Sequence, residues 1–154
     1  MPKQNNLEIR IKVLSKKACR ENISKFMKIE KDYIHPWEEG DFMEQEEEKW
    51  ELSRYATNWS EIVGFLIASH RKETYYLNRL MIHQKYRGNN IGKVLYSNFE
   101  KECRNREQED NITLRVLVNN EGAIKLYEEL GFKIFSLDLK NELYLMKKGL
   151  FNTR

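Results

Sequence analysis

The sequence predicts a mixed α/β domain, and three patterns carry that expectation. Three apolar runs of strand length lie between Arg54 and Ile82, separated by links short enough for hairpins. Beyond Ile82, two stretches with apolar residues at helical spacing flank a lone alternating strand from Ile112 to Val118. The chain of 154 residues is one domain's worth and long enough to bury an ordinary core, so residues 1–154 are expected to form a single domain. Together these patterns imply a mostly antiparallel sheet flanked by about four helices.

Taken in order, Leu7 to Val13 alternates apolar and charged residues as a half-buried strand does. Ser15 can cap a helix whose Cys19, Ile23, Phe26 and Met27 share a face. Pro36 breaks the stretch from Tyr33 to Gly40, after which Asp41 can cap a short acidic helix ending near Trp50. The runs RYATNW, EIVGFLIASHR and TYYLNRLMI, joined at Ser60 and at Lys72-Glu73, form an antiparallel meander. A glycine-containing loop then opens a helix with Ile91, Val94, Leu95, Phe99 and Cys103 on one side. Ala123, Leu126, Tyr127 and Leu130 keep the apolar face of the next helix, which Gly131 can stop with a left-handed cap. FKIFSLDL and ELYLMKK supply a last hairpin.

Composition narrows the partners. The 27 basic and 24 acidic residues leave a formal net charge of +3, too even to mark a nucleic-acid-binding protein. Cys19 and Cys103 are the only cysteines, and MPKQNNLEIRIK has no apolar stretch like a signal peptide, so a cytoplasmic location is expected. No run approaches the roughly 20 apolar residues of a membrane span. No metal ligand set is expected, and the oligomeric state stays open, a homodimer included.

The loop Arg87-Gly88-Asn89-Asn90-Ile91-Gly92-Lys93 asks for a phosphate, because glycines admit close backbone approach and a helix start offers free N–H donors. It is not a nucleoside-triphosphate loop: Gly88 and Gly92 have three residues between them, and Val94 follows Lys93 where a Ser or Thr is needed. The three-glycine dinucleotide fingerprint fails as well.

A different family fits. Arg87, Asn90 and Gly92 occupy the key positions of Q/R-x-x-G-x-G/A, and Asn120, Ala123, Leu126, Tyr127, Gly131 and Phe132 match N-x-x-A-x-x-L-Y-x-x-x-G-F in full. With the order of strands and helices, these segments resemble the GNAT superfamily of acetyl-CoA-dependent N-acetyltransferases over most of the chain. Asn90 replaces a glycine, but Asn enters left-handed conformations more readily than most residues. The resemblance implies a sheet splayed between its fourth and fifth strands, with coenzyme A in the V where the strands ending at Ile82 and Val118 part. The loop from Arg87 to Lys93 would wrap the pyrophosphate, with Arg87 and Lys93 adding charge. The backbone of Leu80, Met81 and Ile82 would pair with the pantetheine arm, and the Asn120 side chain would touch it.

The resemblance makes Tyr127 the general acid, a phenol protonated at neutral pH that can donate to the leaving sulfur. No carboxylate takes the family's base position, where Arg115 stands, and a guanidinium cannot accept a proton at neutral pH. Tyr76, aligned on the fourth strand, is the candidate to order a water instead. His70 and His83 carry the side chain most often used as a general base but lie near strand ends, where solvated or loop-packing roles suit them. Arg115 is left to a salt bridge, to an acidic group of the acceptor or to coenzyme A. The acidic stretch from Glu38 to Glu51, with Glu44, Glu47 and Glu48 at near-helical spacing, would favour a cationic acceptor by long-range attraction. The acceptor expected is a primary amine of a small molecule or a polypeptide, and DYIHPW is similar to a segment of bacterial enzymes that acetylate ribosomal-protein amino termini. A coenzyme A-binding module without acetyl transfer is the alternative.

Overall fold

A computed structural model describes residues 7–151. Among them are seven strands, β1 (Ile9–Val13), β2 (Arg54–Asn58), β3 (Glu61–Arg71), β4 (Thr74–Ile82), β5 (Asn111–Leu117), β6 (Lys133–Asp138) and β7 (Leu143–Gly149). The helices are α1 (Lys16–Glu21), α2 (Ile23–Glu30), α3 (Glu39–Met43), α4 (Lys49–Leu52), α5 (Ile91–Arg106) and α6 (Glu121–Glu129). The strands form one sheet in the order β1-β2-β3-β4-β5-β7-β6. Every neighbouring pair is antiparallel except β4 and β5, which α5 connects as a crossover.

Strand β3 is the continuous apolar run of the sequence because it is covered on both faces. On one face Leu66 and Ala68 meet Leu95, Tyr96, Phe99 and Cys103 of α5. On the other, Phe65 and Ile67 meet Cys19, Phe26 and Phe42 of the N-terminal helices. Phe26 and Phe42 stack, and both meet Phe65 edge-on, with centroids 5.4 to 6.1 Å apart.

Both N-terminal helical stretches are shorter than the periodicity predicts. The first breaks at Asn22, whose side-chain amide donates to Ala18 O at 2.9 Å and competes with the helical ladder. In the second, Asp41 is not the cap: Glu38 caps α3, and Asp41 completes a capping box from the third position. The backbone then extends at Glu44 and turns left-handed at Glu48, φ 58°, before α4. Lys49 is fully buried, and its ammonium takes the carbonyls of Phe42 and Glu44 at 2.8 and 2.6 Å. Glu44, Glu47 and Glu48 therefore do not share a helical face. Val94, expected on the apolar side of α5, is 46% exposed, and Tyr96 packs in its place.

A bulge in β4 changes which face of the sheet its later residues take. Ile67 pairs with Arg79 but Ala68 with Leu77, so Asn78 is an extra residue. Tyr75 and Leu77 pack toward α5, and past the bulge Leu80 and Ile82 do. Met81, and Arg79 with it, turns to the face of α2.

Candidate active site

Pairing between β4 and β5 stops after three rungs, Tyr75 with Ile112, Tyr76 with Thr113 and Leu77 with Leu114. The next residues on β4 enter the bulge, and bulged strands bend. From Asn78 and from Arg115 onward the two strands part and enclose a cleft of about 770 Å³. Leu80, Met81 and Ile82 line one wall, Arg115, Val116 and Leu117 the other, and Gly92, Asn120 and Tyr127 the surface between.

The glycine loop is anchored from behind. Buried Tyr86 donates its hydroxyl to Glu61 at 2.6 Å, and the Asn89 amide donates to Tyr86 O at 2.9 Å. Gly88 takes φ +85° and Asn90 φ +63°, so Asn90 occupies the left-handed position proposed for it. No side chain caps α5 at its N-terminus, which leaves the first-turn N–H groups and the positive end of a 16-residue helix facing the cleft mouth. A Cβ on Gly92 would stand 3.8 Å from Ile82 Cγ1 and 3.9 Å from Leu126 Cδ2. The fold alone therefore does not require glycine there, and its lack of a side chain keeps the floor beside the helix start open. This donor set fits an anionic pyrophosphate.

Placement differs among the loop residues. Arg87, Gly88 and Gly92 line the cleft, and the Arg87 guanidinium donates to Ile82 O at 3.1 Å. Ile91 is 2% exposed and packed in the core, so only its backbone can serve a ligand. Asn89 and Asn90 shape the loop rather than line the cleft, and Lys93 points to Glu129 at 3.1 Å. Asn120 accepts Ala123 N–H at 3.2 Å as the α6 cap, which fixes its side chain at the cleft edge.

Tyr127 packs its ring 5.9 Å from Phe132, and burial pushes its phenol pKa up while the Arg79 charge opposes that rise. It holds its proton at neutral pH. Tyr76 lies on the closed part of the sheet, in the second rung, with the Arg71 guanidinium 3.8 Å over its ring. Burial raises its pKa as well, so it is no proton acceptor at neutral pH. Arg115 is exposed along the wall. Among the described residues lining the cleft none is a carboxylate.

His70 and His83 take packing roles. His83 Nδ1 accepts Lys85 N–H at 3.0 Å in a 3₁₀ turn. His70 sits between Glu109 at 2.7 Å and Glu48 at 3.3 Å. The acidic stretch does not serve the cleft: Glu46 reaches Arg71 and Asn78, and Glu48 reaches His70, Arg106 and Gln108. None of the carboxylates from Glu38 to Glu51 lines the cleft.

The sequence did not mark Asn78 or Arg79 as cleft residues, nor Tyr33 and His35, which also line it. DYIHPW was the one signal for the last two. Arg79 had none, since without the bulge its position would read as core.

The profile of the Acetyltransferase (GNAT) family matches residues 23–132. The chain belongs to this family. Human N-alpha-acetyltransferase 30 is 37% identical over 62 residues, which are 37% of this chain but only 16% of that protein. The ribosomal-protein-S18-alanine N-acetyltransferase from Escherichia coli superposes with a TM-score of 0.79 at 20% identity, covering 96% of this chain and 97% of that one. Arabidopsis thaliana Naa50, solved with the bisubstrate analogue CoA-Ac-MVNAL, gives 0.73 at 20% identity over 91% and 97%. At these identities the solved structures establish the shared fold. Among the described residues no helix is long and apolar enough to cross a membrane.

Proposed function

We propose that the protein acetylates the α-amino group of a polypeptide, with Tyr127 as general acid. The observation that carries this reading is the cleft itself: open strand backbone on both sides, an uncapped helix start at one end, and the Tyr127 phenol between. Similar proteins support the acceptor class: an N-alpha-acetyltransferase, a ribosomal-protein-S18-alanine N-acetyltransferase, and Naa50 solved with the bisubstrate analogue CoA-Ac-MVNAL.

Bound acetyl-CoA supplies the activated acyl group as a thioester. The chain's own part is to hold that group and manage protons. The α5 N–H groups and Arg87 receive the pyrophosphate, and the backbone of Leu80 to Ile82 pairs with the amide-bearing arm. Tyr127 then donates its proton to the departing sulfur. The amine proton leaves through water, since the lining holds no carboxylate; Tyr76, on the closed part of the sheet and off the lining, takes no part in ordering that water.

The test uses acetyl-CoA with free-α-amino peptides, the same peptides blocked at the terminus but carrying lysine, and spermidine. Thiol release is followed and the modified atom located by mass spectrometry. Acetylation confined to free α-amino groups is expected. Modification of only spermidine or lysine would overturn the reading.

A further inference from the structure

We infer that Glu30 and Arg79 form a positioning pair that holds the segment between α2 and α3 against the cleft for the acceptor, an inference that rests on the acetyl-transfer reading above. Glu30 is fully buried, and Arg79 meets it with both branches of its fork, Nε to Oε2 at 2.8 Å and Nη2 to Oε1 at 2.7 Å. The same Nη2 donates to His35 O at 2.7 Å. The guanidinium lies 4.6 Å from the Tyr33 ring centre and 5.1 Å from that of Trp37. Trp37 N–H closes the network on Glu30 Oε1 at 2.8 Å. One cation thus fastens three residues of a segment two of whose side chains, Tyr33 and His35, line the cleft.

Stability alone is a poor explanation for this arrangement. A buried ion pair repays its desolvation only with ideal geometry, and apolar replacements of similar volume often stabilise equally well. What an apolar pair could not do is hold a backbone carbonyl and two rings from one point. Arg79 lines the cleft beside Tyr127, where its charge bears on the phenol. The pair therefore fixes the wall of the cleft formed by Tyr33 and His35 relative to the Tyr127 phenol, and that wall is where we place the acceptor.

The deciding comparison is between the parent, Arg79→Lys, and the double variant Glu30→Leu with Arg79→Met. Each is measured for thermal midpoint, acetyl-CoA affinity by calorimetry, amide hydrogen exchange in residues 31–38, and KM and kcat with whichever amine the parent acetylates. The double variant is expected to melt near the parent and to bind acetyl-CoA equally well. Exchange in 31–38 should quicken by about tenfold or more, and acceptor KM should rise by about tenfold with a smaller change in kcat. Arg79→Lys keeps the charge but not the fork, so it should shift both quantities part of the way; it decides the case if the double variant does not fold. Parent-like exchange or parent-like acceptor KM in a folded variant would overturn the inference. Acetylation of spermidine but no peptide would sink the α-amine reading alone, because the exchange and KM comparisons still judge the pair.

Discussion

Tyr127 is kept protonated by its surroundings rather than by a partner, as the general acid proposed above must be. Burial against Phe132 keeps the phenol neutral, and Arg79 limits how far its pKa climbs. Tyr127→Phe keeps the ring and its packing while removing only the proton. It should lower kcat by about 10² to 10⁴-fold with acetyl-CoA affinity unchanged; parent-like kcat where chemistry limits the rate would assign the donor elsewhere. The place of Tyr127 on the cleft lining was legible in the sequence because it sits inside a full motif. That of Arg79 was not, because nothing in TYYLNRLMI announces an extra residue, and without one a period of two puts position 79 with Tyr75 and Leu77.

Elements were legible where one face is apolar over its whole length. The meander, α5 with its buried Ile91, Leu95, Phe99 and Cys103, and α6 with Gly131 after it keep the expected pattern, Val94 apart. Elements went astray where a polar side chain competes with the backbone, as Asn22 does between α1 and α2 and as Lys49 does at the end of α3. Gly64 is a further silent position, since glycine inside a strand reads only as a weakness. A Cβ there would lie 2.7 Å from Ile82 Cδ1 and 3.0 Å from Met81 O, so the absence of a side chain lets β3 and β4 close together beneath the cleft wall. Gly64→Ala should cost roughly 1–3 kcal/mol by overpacking, seen as a lower urea midpoint with an unchanged slope. An unmoved midpoint would mean that Ile82 and the β4 backbone yield freely.

Across the whole molecule, His70 ties distant parts together. Its ring links the end of β3 to Glu48 before α4 and to Glu109 before β5, while Tyr75 lies 5.5 Å away and Arg106 shares Glu48. The hydrogen bond to Glu109 leads the upward shift of its pKa. A raised folded pKa means that this stabilisation is complete below the unfolded value of about 6.5 and is lost as pH rises through the folded value. The stability gap between the parent and His70→Gln should therefore be widest near pH 6 and shrink toward about pH 9; a gap constant across that range would show that His70 contributes by packing alone. The three-rung seam between β4 and β5 has a consequence at the same scale. An ordinary open sheet has two edges, whereas this one has four, two of them facing each other inside the fold. Exposed edges invite other strands, but these two converge at Leu77 and Leu114, so a folded neighbour's strand cannot be laid flat along either one for its full length. A slender chain with amides spaced along it can enter from the open end. The gap thus works as a gauge, admitting guests by thickness before any side chain reads their chemistry.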